Sequence, residues 1–266
     1  VVRKFSVKFV LATAANIAVT SGCAPVFAKP IDSHSLQHGW ILNQSSTLIG
    51  DQTIYVSPIA MRLTTKKTSV MILTIAPDFD VKLFNTRSKK MYECKAKNFV
   101  NSFSTSIATA SGVVYSEIPL KLKNRDLLNG LKICNYETPD WLAKKAYDGW
   151  KTGLSDRGAV TSATYVVSDQ FPSAICETIA RFYGLPQKGL PLDFKYKNVS
   201  KETQQMLRTT SCRSAEISLA EFQAPTGYKR VQTVAEVTKD KNSDDVLELF
   251  EGLSESINKQ TRPKKK

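Results

Sequence analysis

With 266 residues, 42% of them hydrophobic and 23% charged, the chain can bury one ordinary core, and neither a collagen-like nor a disordered class fits. Its formal charge of +13 raises the question of anionic partners. The lysines fall mostly in short pairs, Lys66-Lys67, Lys89-Lys90 and Lys144-Lys145, and in the closing Arg262-Pro263-Lys264-Lys265-Lys266. Each pair reads as solvated surface, and no nucleic-acid module is recognisable.

The N-terminus carries the clearest local signal. Arg3, Lys4 and Lys8 lead into a short apolar stretch, Phe9 to Val19, and Val26-Phe27-Ala28 gives a small-residue cleavage pattern before Lys29. Residues 1–28 are therefore expected to be a secretory signal, with the rest exported to a periplasmic or extracellular space. The apolar stretch is well short of the roughly 20 residues that a spanning helix needs. Lipid attachment at Cys23 is a second reading, ranked lower because Thr20 stands where such signals carry a branched apolar residue. Without residues 1–28 the charge falls to +10, and Cys94, Cys134, Cys176 and Cys212 remain. In an oxidising compartment two disulfides are expected. Cys94 with Cys134 and Cys176 with Cys212 are favoured, because each pair closes a loop of moderate length. No two cysteines have C-x-x-C spacing, so neither a zinc site nor another cofactor is expected.

Taken in order, the elements begin as strands. "WILNQSSTLIG" alternates weakly, "QTIYVSPIAMRLTT" is β-branched and aromatic, and "SVMILTIAP" is apolar on both faces. Short polar connections make these antiparallel neighbours, with Pro58 marking an edge or a bulge. "DVKLF" and "MYECK", separated by "NTRSKK", form the next hairpin. "SFSTSIATASGVVYSEIP" is loop or strand, and "PDWLAKKAYDGWKTGL" is a helix capped by Thr138 with Pro139 first. "SATYVVSD" is a strand, and "FPSAICETIARFYGLP" is a helix that starts near Ser173 and stops before Gly184. "LPLDFKYKNV", "TQQMLRTTSCRSAEISL" and "APTGYKRV" return to strands. Strands, helical insertions and strands again predict an α+β fold: an antiparallel sheet with helices packed on one side. Residues 29–235 are expected to form this domain, and 236–266 a charged tail with one amphipathic helix over Val246, Leu249, Phe250, Leu253 and Ile257.

"YVSPIAMRL", "APDFDVKLFNTRSKKMYE" and "ISLAEFQAPTGYKRV" resemble, in order and spacing, three segments of the periplasmic lipoprotein carrier (LolA-like) superfamily. The outline covers about residues 36–235, with Phe222, Pro225 and Gly227 matching the final strand and its turn. The resemblance implies a half-barrel, a curved antiparallel β-sheet whose concave face is covered by helices. Its apolar lining would shelter a lipid, or the acyl chains of a lipoprotein, without catalysis. Each methylene withdrawn from water contributes about 0.8 kcal/mol, so such a face needs no reactive group. Alternation and the resemblance nominate Ile54, Val56, Met61, Met71, Leu73, Ile75, Leu83 and Met91 as cavity lining. Carriers of this type have a basic residue before the proline of the second strand, implicated in holding the lid closed; this chain has Ser57 there. The expected partners are lipid or lipid-modified protein, with the basic tail available to an anionic membrane or cell-wall surface, and no nucleic acid.

Two other function classes compete. One is an envelope interaction module with a self-filled core and a basic binding surface. The other, a secreted hydrolase, finds little support. His34 and His38 lack a third ligand motif, "GLSDRG" is not a nucleophile elbow, and no later histidine exists to activate a serine. Asp78 with Asp80 and Asp244 with Asp245 read as turn and helix-cap residues.

Overall fold

The structure is a computed structural model and describes residues 35–47, 49–99, 120–139, 141, 159–167, 169–186, 188–197 and 203–238. The expected signal, Cys23, His34, the segment 102–119, nearly all of the helix expected over 139–154 and the tail helix lie outside these residues. Among the described residues no helix is long and apolar enough to cross a membrane.

Six strands open the fold as a meander: β1 (Leu36–Ser46), β2 (Gly50–Val56), β3 (Ala60–Thr65), β4 (Val70–Ile75), β5 (Val81–Asn85) and β6 (Lys90–Cys94). Pro58 lies neither at a sheet edge nor in a bulge. It sits in a tight turn that splits "QTIYVSPIAMRLTT" into β2 and β3. Ser57 N–H donates to Ala60 O at 2.8 Å, and Ser57 Oγ accepts from Ile59 N and Ala60 N at 3.4 and 3.1 Å. The serine hydroxyl thus takes up backbone donors that the proline turn would otherwise leave open.

A hairpin that the sequence reading passed over follows, β7 (Lys121–Leu128) and β8 (Leu131–Glu137). Its two-residue turn is Asn129-Gly130, both at positive φ, 50° and 86°. That is the backbone of a type I′ turn, for which Asn-Gly is the strongest sequence signal. After β9 (Ala159–Val167) comes the helix α1 (Ser173–Tyr183), then β10 (Gly189–Lys197) and the long β11 (Thr203–Ser218). Gly184 ends α1 in the left-handed region at φ 67°, and Leu185 N–H closes the end on Ala180 O at 2.8 Å. α1 starts at Ser173, as expected, with Pro172 at the N-cap position.

With the two-residue β12 (Lys229–Arg230), the strands of the described residues form a single 12-stranded sheet in the order β12-β6-β5-β4-β3-β2-β1-β11-β10-β9-β8-β7. It is a large, open, curved sheet with few helices, broadly the expected α+β half-barrel. All pairings are antiparallel except one: the two-residue β12 (Lys229–Arg230) runs parallel to β6. The closing "APTGYKRV" is therefore not a full strand; together with the short 3-10 turn Leu219–Phe222 before it, it forms a strap.

Apolar side chains pack on both faces. On the helix face, Ile175, Cys176, Ile179, Phe182 and Tyr183 of α1 belong to one buried cluster with strand residues that include Leu42, Ile54, Leu63 and Phe194. Each such side chain, fully buried, contributes about 1.5–3 kcal/mol. On the opposite face, Met71, Leu73, Phe84 and Ile217 are covered by Leu219, Phe222 and Tyr228 of the strap. Past β12 the chain continues into α2 (Val234–Thr238), and Val237 joins the helix-face core. The C-terminal segment thus wraps round the β6 edge from one face to the other and pairs with an edge that would otherwise be open.

The four cysteines expected to form disulfides are all free thiols. Cys94 in β6 and Cys134 in β8 belong to strands separated by eight others in the sheet. Cys176 and Cys212 are each packed among apolar side chains of the helix-face core.

Candidate functional site

The register divides the expected cavity residues between the two faces. A continuous row Cys212–Leu42–Ile54–Leu63–Ile72–Leu83–Tyr92 runs under the helix face through β11, β1, β2, β3, β4, β5 and β6. Beside it lies the row Trp40–Val56–Met61–Thr74. Ile54, Val56, Met61 and Leu83 therefore share the helix face. Met71, Leu73, Ile75 and Met91 belong to the strap face, where Met71, Phe84 and Met91 are direct cross-strand neighbours. The eight residues cannot line one cavity, because neighbouring residues of a strand point to opposite sides.

Ile54, Val56 and Met61, with Leu42, Leu63 and Ile72, have no exposed surface at all, so α1 and its surroundings fill this face. The third row on the same face is polar: Thr209–Gln44–Gln52–Thr65. Gln44 is fully engaged. Its Nε2 donates to Pro191 O at 2.9 Å and to Thr209 Oγ1 at 3.0 Å, and its Oε1 accepts from Tyr183 Oη at 2.8 Å. That last bond ties the C-terminal end of α1 to the sheet. Gln52 is equally buried, yet neither atom of its amide has a partner among the described residues. A buried amide without hydrogen bonds costs about 1–3 kcal/mol or more.

Burial favours the neutral form of several ionisable groups around this face. Burial pushes the Tyr183 hydroxyl well above its ordinary range and the Cys176 thiol up to about 11. Burial also raises the Cys94 thiol, assisted by the charge of Asp80 and opposed by its hydrogen bond to Tyr92 and by Arg181. Among the described residues, the face offers amides, hydroxyls and hydrocarbon.

Ser57, which stands where carriers have a basic residue, is committed to the β2–β3 turn. The helix is instead anchored by Tyr183 on Gln44, a pair the sequence reading did not single out. Its signal was present: Gln44 and Gln52 stand two residues from Leu42 and Ile54, at positions where strand alternation points inward. Arg62 lies on the other face, where it holds the strap. Its Nη1 donates to Glu221 O at 2.9 Å, its Nη2 meets Glu221 Oε2 at 2.5 Å, and its guanidinium stands over the Tyr55 ring at 4.8 Å. His38 is exposed and contacts Glu216 at 3.3 Å. Among the described residues no three His, Cys, Asp or Glu side chains converge as a metal site.

A separate open cavity of about 830 Å³ lies at the β7–β8 end, lined by Leu120, Leu122, Pro139 and Trp141 together with Lys121, Lys123, Glu137 and Thr138. Lys123 and Glu137 pair across it. None of the expected lining residues reaches this cavity.

These features define an α+β protein with one long curved antiparallel sheet, apolar on both faces, with a polar row beneath its helix. No family model and no curated protein matches the chain. Among solved structures, an uncharacterized conserved protein from Thermus thermophilus is similar at 8% identity and TM-score 0.37, covering 73% of this chain and 90% of that one. Pseudomonas aeruginosa MucB, solved in complex with MucA, is similar at 11% identity and TM-score 0.33, over 76% of this chain and 60% of that one. A putative outer membrane lipoprotein-sorting protein domain from Vibrio parahaemolyticus is similar at 10% identity and TM-score 0.23, over 80% and 91%. At such scores the likeness is a distant one of fold and carries nothing about ligand or partner.

Proposed function

We propose that the chain is an exported, non-catalytic binding protein that shelters an amphipathic ligand, a lipid or the acyl chain of a lipid-modified protein, beneath α1. The observation that carries this reading is the buried polar row beside the apolar rows: Gln52 without partners next to Gln44, which holds the helix through Tyr183. A packed face with no other purpose gains nothing from a buried amide left unpaired. A ligand with a hydrocarbon chain over Leu42, Ile54 and Leu63, and a polar head at Gln52, would satisfy both. Because those apolar residues are fully buried, the ligand must displace α1 to enter, and the helix acts as its cover.

The same complete burial also favours a second reading, an envelope interaction module whose core is filled by its own side chains. Native mass spectrometry of the purified protein after incubation with phospholipids and acylated peptides separates the two. A retained lipid mass, increased in Tyr183→Phe, is expected for the binding protein. A clean apo mass in both proteins, with Tyr183→Phe still folded, would leave the interaction module.

A further inference from the structure

Two of the lysine pairs that look scattered along the chain, Lys66-Lys67 and Lys89-Lys90, meet at one end of the sheet. Lys66 and Lys67 belong to the β3–β4 turn, and Arg87 and Lys89 to the β5–β6 turn. The two turns are joined, since Thr86 N–H and Thr86 Oγ1 both donate to Ser69 O, at 2.8 and 3.1 Å. Lys229 of β12 sits alongside, its N–H donating to Lys89 O at 2.8 Å. All five side chains are exposed, and none is paired with a carboxylate among the described residues.

Three acids lie close by. Asp51 is the neighbour of Lys66, whose N–H bonds its carbonyl at 3.1 Å. Glu93 is already taken by Lys82 and Arg230. Glu236 accepts from Thr233 Oγ1 at 2.8 Å. The cations therefore outnumber the acids; Lys89 Nζ lies over the Tyr228 ring at 5.1 Å, and no carboxylate of the described fold pairs with any of the five to offset their mutual repulsion.

We propose that this end of the sheet docks the protein against a bilayer that carries anionic phospholipid headgroups. The cations sit on adjacent, joined turn tips at one end of the sheet, where they can meet a planar array of phosphates together. α2 is fixed to the β5–β6 hairpin by Asn85 Nδ2 on Val237 O at 3.0 Å and Lys90 Nζ on Glu236 O at 3.1 Å. Membrane docking is independent of the reading of the helix face.

The test is co-sedimentation of the full chain with phosphatidylcholine vesicles, with and without phosphatidylglycerol. Binding is expected only with phosphatidylglycerol. Lys66→Glu/Lys67→Glu/Arg87→Glu, checked for its fold by circular dichroism, should lose at least about tenfold in partitioning, since each basic residue near an anionic surface contributes several-fold. Equal binding of parent and variant overturns the proposal. So does failure of the parent to bind, or complete loss in a Lys264→Gln/Lys265→Gln/Lys266→Gln variant with the sheet end intact. A parent that ignores vesicles and binds soluble polyphosphate through the same three residues would make the partner a polyanion and not a bilayer.

Discussion

Tyr183, the last residue of α1, donates its hydroxyl to Gln44 Oε1 in β1 at 2.8 Å, a contact between residues 139 positions apart in the chain. It is a polar bond of the helix to the sheet in otherwise apolar packing, so its removal acts on the attachment of the helix more than on the sheet. Tyr183→Phe leaves Gln44 Oε1 buried without that donor and should cost about 1–3 kcal/mol. Urea unfolding measures the loss. Hydrogen exchange should show faster opening in α1 than in β1 to β4, and uniform acceleration would disprove the local role.

Gly39 in β1 has no room for a side chain. A Cβ there would lie 2.4 Å from the backbone oxygen of Val56 and 2.8 Å from Ile217 Cδ1. The carbonyl belongs to the neighbouring strand and cannot move alone. Gly39→Ala should therefore destabilise by about 1–3 kcal/mol or more, the range for overpacking. A thermal midpoint equal to the parent's would contradict this contact.

Arg62 holds the strap over the second core through Glu221 and Tyr55. The pair is partly exposed, with side chains 23% and 40% accessible, so its worth is modest. Arg62→Met should cost about 1 kcal/mol. Amides of residues 219–222 should exchange faster while those of α1 stay unchanged. Loss of protection in α1 instead would show that the two faces are not separately secured.

Burial raises the Cys176 thiol from the ordinary 9.0 to about 11. The native state then keeps this proton over a range in which the unfolded chain releases it. The contribution is complete below about pH 9 and is lost as the pH rises towards 11, with a limiting slope of about 1.4 kcal/mol per pH unit. Cys176→Ala should flatten the stability profile of the parent in that window. An identical slope in both proteins would mean that the thiol is not buried as described.

The free thiols can be counted directly. Titration of the denatured, unreduced chain with a disulfide reagent should find Cys94, Cys134, Cys176 and Cys212 all reactive. Absence of reaction at any two of them would restore the disulfide expected from their even number.

The sequence by itself determined most of the local structure. Alternation in "WILNQSS", "DVKLF" and "MYECK" placed strands where β1, β5 and β6 lie, and Gly184 stopped α1 where the left-handed φ requires a residue without a Cβ. Asn129-Gly130 was equally legible, though it was passed over. Pro58 was seen, but whether a proline ends a strand or bulges it depends on hydrogen bonds that only the folded turn supplies. The cavity residues were read as one set because each strand was considered alone. Met71 and Ile54 each alternate correctly, yet which phase of one strand meets which phase of the next is fixed by register, and register placed them on opposite faces. Long-range pairing likewise decided what faces what: Tyr183 on Gln44, Arg62 on Glu221, and Lys66-Lys67 beside Lys89 and Lys229. Periodicity is a property of neighbouring residues and can be read along the chain. These contacts join residues far apart in it, and they follow only from the curvature and strand order of the assembled sheet.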